Sequence, residues 1–221
     1  MLTSKQKREE NIAEYLLYMW QIEDIIRAYG ADMNAIEQNI ISQYKLDEDL
    51  HKQYFEWYES LIEMMRHENV LQSGHLQINK NVIIRLADLH QELLKSPKYP
   101  DYTAEFYKTL PFIVELRAKA GENKAGEIET CFNALYGMLL LRLQKKDISP
   151  DTAIAMKQIS RFIATLAAYY KASHAACQQC GQYSGDQPYS RQLLRVSMGC
   201  PKSLSLCQHI LRQKLHGVQQ I

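Results

Sequence analysis

The sequence predicts an all-α protein, an up-and-down helical bundle of about seven helices around a buried helix at residues 126–145. Three observations lead there. Apolar residues recur at three- and four-residue steps through the first 171 positions, and no alternating strand pattern of useful length interrupts them. Within those positions the scarce Gly and Pro, Pro111 and Gly137 apart, fall between the periodic stretches, where they make turns. The segment Cys131–Leu143, CFNALYGMLLLRL, is apolar at ten of its thirteen positions, leaving only Asn133, Gly137 and Arg142. A helix without a polar face belongs inside a bundle. This one is also too short to cross a bilayer, which takes about 20 apolar residues.

The first helix is expected from about Ser4 to Tyr29, with Ile12, Leu16, Met19, Ile22 or Glu23, and Ile26 turned inward and Gly30 as its stop. Glu23 and Arg27, four apart with the acid first, read as a surface pair. A short second helix covers Met33–Tyr44 behind the cap Asp32, burying Ile36, Ile40 and Ile41. Asp47 caps the third, with Glu48 and Asp49 in the first turn where acids favour the helix dipole. Its inner face is Tyr54, Trp57, Tyr58, Leu61, Ile62 and Met65, and it ends near Asn69. The fourth runs from Leu76 or Ile78 to Lys95 with Val82, Leu86, Leu89 and Leu93 inward, until SPKYPD stops it. The fifth, about Tyr102 to Ala120, carries Pro111 in its interior, where the lost N–H and the clash with the Tyr107 carbonyl predict a kink. The central helix follows a turn at Gly121–Gly126. Ser149 and Pro150 then open a seventh, with Ile154, Ile159, Phe162, Ile163 and Leu166 facing in as far as Tyr170.

Composition divides the chain. Residues 172–221 hold Arg191, Arg195, Lys202, Arg212 and Lys214 against Asp186 alone, which is +4, so a total of +1 leaves residues 1–171 at −3. Four of five cysteines lie in that tail. We therefore expect a helical bundle domain over 1–171 and a basic, Cys-containing, poorly ordered tail over 172–221, with short amphipathic stretches at about Ser190–Met198 and Ser203–Leu215. A net charge near zero argues against non-specific nucleic-acid binding. No signal peptide is visible, since Glu9 and Glu10 interrupt the basic start, and one cysteine in the body gives no sign of an oxidising compartment. The expected location is the cytoplasm, without membrane contact.

Several residues invite chemistry. Cys177-x2-Cys180 has zinc-ligand spacing, and Cys200, Cys207 and His209 would complete a site, but the second pair is too widely spaced for the usual pattern. Glu48-x-x-His51 is half of a di-iron bundle signature whose other half is missing from the body. His67, His75 and His90 titrate near neutrality, yet the sequence places no nucleophile beside them. His67 follows Glu63 by a turn, His75 stands at a helix start as a local hydrogen-bonding group, and His90 lines the interior. Cys131 reads as a small core hydrophobe, and Tyr15, Tyr18, Trp20, Trp57 and Tyr58 as core. GENKAG lacks the spacing of a phosphate loop. No catalytic residue, metal site or cofactor is implied.

The polar residues set in apolar surroundings are Glu14, Glu115, Arg117, Glu129, Asn133 and Arg142. A buried charge needs a partner, so Arg142 is expected to meet Glu115 or Glu14. Such a cluster is either an ion-pair network fixing helix register or a polar pocket, between the first, fifth and sixth helices, for a small anionic or amide ligand.

The body resembles a family of uncharacterised all-helical cytoplasmic proteins from Bacteroidetes bacteria. The stretches that carry the likeness are ENIAEYLLYMWQIEDIIRAY near the start, GHLQINKN at Gly74–Asn81, LPFIVELRAKAG at Leu110–Gly121 and GEIETCFNALYGMLLLRLQKKDISP at Gly126–Pro150. The likeness covers about residues 1–171 and implies a compact helical protein with no assigned activity. Function is thus expected to be non-catalytic, that of an interaction or scaffold protein and a possible homo-oligomer. The alternative is a small-molecule binder or enzyme using the polar pocket.

Overall fold

A computed structural model of the chain describes residues 8, 10–121 and 125–179, with side chains through His174 in the last helix. The described residues form an all-α protein without strands: α1 Ile12–Ala28, α2 Met33–Asn39, a 3-10 turn Ile41–Tyr44, α3 Glu48–His67, α4 Gln77–Lys95, α5 Pro100–Lys119, α6 Glu127–Leu143 and α7 Pro150–Gln179. None of these helices is long and apolar enough to cross a membrane. They fall into two compact units, divided between Lys80 and Asn81 within α4. Of the candidate zinc ligands only Cys177 falls within the described residues; Cys180, Cys200, Cys207 and His209, like the two amphipathic stretches of the tail, lie outside them.

In the first unit, α1 starts at Ile12 because the Asn11 side chain accepts the N–H groups of Ala13 (3.2 Å) and Glu14 (3.3 Å). Twelve of the seventeen residues of α1 are buried, Glu23 among them, which makes this helix the most enclosed of all. It ends at Gly30, whose φ of +63° suits glycine. Asp32 caps α2 as expected. The second helix is split, however: α2 stops at Asn39 and a 3-10 turn follows, closed by Lys45 in the left-handed region. Ile36, Ile40 and Ile41 are buried throughout this stretch. Asp47 accepts the Leu50 N–H at 2.8 Å to start α3, and all six residues expected on its inner face are buried.

In the second unit, the inner stripe of α4 is Val82, Leu86, His90 and Leu93, whereas Leu89 is only half-buried. Helix α5 runs unbroken through Pro111. Pro111 is exposed, so the Tyr107 carbonyl that it leaves without a backbone partner lies on the water-facing side, where that loss costs least. Helices α5 and α7 are antiparallel, with Tyr99 against Tyr169, Tyr102 against Phe162 and Thr109 bonded to Gln158. Glu105, buried on α5, ties them further by accepting from Gln158 at 2.9 Å and Arg161 at 3.2 Å.

Helix α6 buries Ile128, Cys131, Phe132, Tyr136, Met138 and Leu143 but exposes Asn133 and Arg142, with Leu139–Leu141 half-covered. It forms one wall of its unit and is not enclosed on every side. An apolar run reports how much a helix can bury, and only its neighbours decide how much it does. Ser149 caps α7 through the Thr152 N–H at 3.2 Å. Ile154, expected inside, is 61% exposed, because the packed stripe begins at Met156 and Ile159. Helix α7 passes Lys171 without a break and continues to Gln179.

Candidate functional site

All six residues of the expected polar cluster are exposed: Glu14 in the first unit, and Glu115, Arg117, Glu129, Asn133 and Arg142 in the second. Glu14 is bonded to Asn11 and Glu115 to Lys119. Expected burial fails because helix periodicity leaves these positions on outer faces between apolar neighbours. Glu129 and Asn133 alone come together, lining an open groove of about 530 Å3 with Leu116, Ala120, Thr130 and Ala134.

The most deeply buried carboxylate among the described residues is instead Glu23, 1% exposed. Its Oε1 accepts the Leu76 N–H at 2.9 Å and the Asn79 side-chain amide at 2.7 Å, and its Oε2 meets His75 Nδ1 at 2.5 Å. A carboxylate only accepts, so the His75 proton sits on Nδ1. Trp20 stacks on that ring with centroids 4.1 Å apart, and the ring is 29% exposed. Arg27, expected to pair with Glu23, binds Asp24 at 2.7 Å and donates to the carbonyls of Val70 and Gly74. Two stretches that carry the family likeness, IEDIIRAY and GHLQIN, therefore meet here. The arrangement pins the loop before α4 and caps that helix. No nucleophile joins it, and among the described residues no three His, Cys, Asp or Glu gather as metal ligands.

His90 occupies the middle of the second unit, 1% exposed, among the rings of Tyr102, Phe106 and Phe162. Its Nε2 lies 3.3 Å from Glu127 and its Nδ1 2.7 Å from the Tyr102 hydroxyl. Because the carboxylate only accepts, Nε2 donates to Glu127 and Nδ1 accepts the Tyr102 proton. Burial lowers the His90 pKa against the opposing pull of Glu127, so the ring is neutral at pH 7. Burial likewise raises the Tyr102 hydroxyl well above its ordinary value and pushes the Cys131 thiol up to about 12. The thiolate is the reactive form. We expect iodoacetamide at mildly alkaline pH to leave Cys131 unlabelled in peptide maps of folded protein, and to label it once denaturant is added. His67 is exposed, and half-buried His51 faces Glu37 at 3.6 Å, outside any metal-ligand cluster among the described residues.

The remaining feature is the outer face of α5. Its inner stripe, Tyr102, Phe106, Thr109 and Ile113, packs inside the unit. A second stripe of Ala104, Tyr107, Pro111, Val114 and Ala118, spaced 3-4-3-4, is exposed along its whole length. Tyr107 is 63% and Val114 58% exposed, which is unusual for large apolar side chains. Ala104 and Tyr107 also line an open groove of about 540 Å3 with Leu94, Pro97 and Pro100. The register of α5 against α7 sets exposed Ile154 about one turn beyond Gln158, level with the middle of the stripe. The sequence reading missed this surface, although two apolar stripes on one short helix are visible in LPFIV and its surroundings once Tyr102 and Phe106 are given to the core.

No curated protein and no solved structure matches the chain. A family model described as a domain of unknown function, DUF4924, matches residues 1–176, four-fifths of the sequence. The chain belongs to that family.

Proposed function

We propose that this is a non-catalytic interaction protein that docks a protein partner on the outer face of α5. The observation that carries the reading is the exposed apolar stripe from Ala104 to Ala118, about 21 Å long at 1.5 Å per residue. Heptad-like 3-4 spacing is what a partner helix would read. A small-molecule or enzymatic role has less support, because the six polar residues behind it face water. The family likeness supports a Bacteroidetes source, and the one free, buried cysteine among the described residues, Cys131, suits a cytoplasmic setting.

A photo-cross-linking amino acid placed at Tyr107 or Val114 tests this in the cell of origin. Adducts to protein are expected from both positions, and none from exposed Lys157 on α7. Absence of adducts at 107 and 114 would refute the reading.

A further inference from the structure

We infer that the partner on α5 is a second copy of this chain, bound antiparallel about a two-fold axis near Pro111. The inference rests on the interaction reading above and adds the identity of the occupant. With 100° per residue, the five stripe residues fall within an arc of about 80°, with Lys108 and Glu115 together on one flank and Leu110 and Arg117 on the other. Antiparallel helices related by a two-fold bring like flanks together. Centred on Pro111, that symmetry sets Ala104 beside the partner's Ala118, Tyr107 beside the partner's Val114, and Pro111 against its own copy.

The charges select the same arrangement. Lys108 makes no ion pair among the described residues, and the two-fold places it level with the partner's Glu115, twice per dimer. Among the described residues Glu115 is bound only to exposed Lys119 within its own helix, a weak pair that leaves it able to accept a second cation. A parallel pairing would instead set Glu115 against Leu110. Small residues at both ends of the stripe let the helices approach, and the larger side chains interleave beside the proline. The strip is narrow, so the dimer is of the weak, reversible class.

Sedimentation velocity of the full chain, in reductant to keep the tail thiols from cross-linking, tests this between about 1 and 100 µM. Wild type is expected to pass from monomer to dimer across that range. Lys108→Glu and Glu115→Lys should each raise the dissociation constant about tenfold, and the double exchange should restore it, since it only reverses the pair. Val114→Asp should abolish the dimer while circular dichroism stays unchanged. A wild type monomeric at every concentration, or a double exchange no better than its parents, would overturn the second copy as occupant. If cross-links from Tyr107 and Val114 persisted in that case, docking on α5 would survive with a different partner; if they too were absent, both readings would fall.

Discussion

Replacing Glu23 with alanine is expected to lower the unfolding free energy by about 3–5 kcal/mol, the largest effect of any single substitution in the first unit. The carboxylate satisfies three donors at once: the Leu76 N–H, the Asn79 amide and His75 Nδ1. Leu76 and Asn79 are fully buried, so removing the acceptor strands their polar hydrogens out of reach of water. Glu23→Gln should be milder, about 2 kcal/mol, because its one carbonyl still accepts while its amide confronts another donor. Urea unfolding gives the magnitudes. Hydrogen exchange locates them: the loss should centre on α1 and the start of α4, with the amides of α5–α7 little changed.

His90 sets the second large effect, and its sign follows from burial. The folded-state pKa lies below the unfolded value of about 6.5, so between the two the unfolded chain binds more protons. Stability from His90 is therefore complete above about pH 6.5 and is lost as pH falls through the folded-state pKa. Protonation fills Nδ1, and the Tyr102 hydroxyl, wholly buried, loses the acceptor for its proton. His90→Leu removes the titration and strands the same hydroxyl at every pH. We expect it to cost about 2–3 kcal/mol at neutrality and to flatten the acid slope relative to wild type between about pH 7.5 and 5. Parallel stability curves for the two proteins would show that His90 is not the group being protonated.

Local signals carried much of the fold. Asp32, Asp47 and Ser149 cap the helices they were expected to cap, and Gly30 ends α1, since capping depends on residues within a turn of one another. The inner face of α3 was legible because its charged and apolar residues segregate sharply. Helices that are apolar all round gave weaker guidance. The same periodicity that reads Glu23 and Arg27 as a surface pair cannot reveal that Glu23 is buried, because its partners are more than fifty residues away. Likewise α1 and α6 look equally apolar in sequence, yet neighbours enclose only α1.

The candidate site was the least legible part. Charges between apolar residues suggested a buried network, whereas Glu115 and Arg117 lie where a helix with two apolar stripes must put its remaining polar positions. Tyr107 and Val114 carry no chemical signature, and their exposure is a property of packing. What distinguishes them is that Phe106 and Ile113, each one position away, already fill the core.

The claim that matters most is that the Ala104–Ala118 face is covered when copies of the chain meet. Hydroxyl-radical footprinting of Tyr107, in dilute and in concentrated protein, measures it directly. The account predicts that the Tyr107 oxidation rate drops several-fold as the dimer forms and stays high in Val114→Asp. An oxidation rate independent of concentration in the wild type would contradict it.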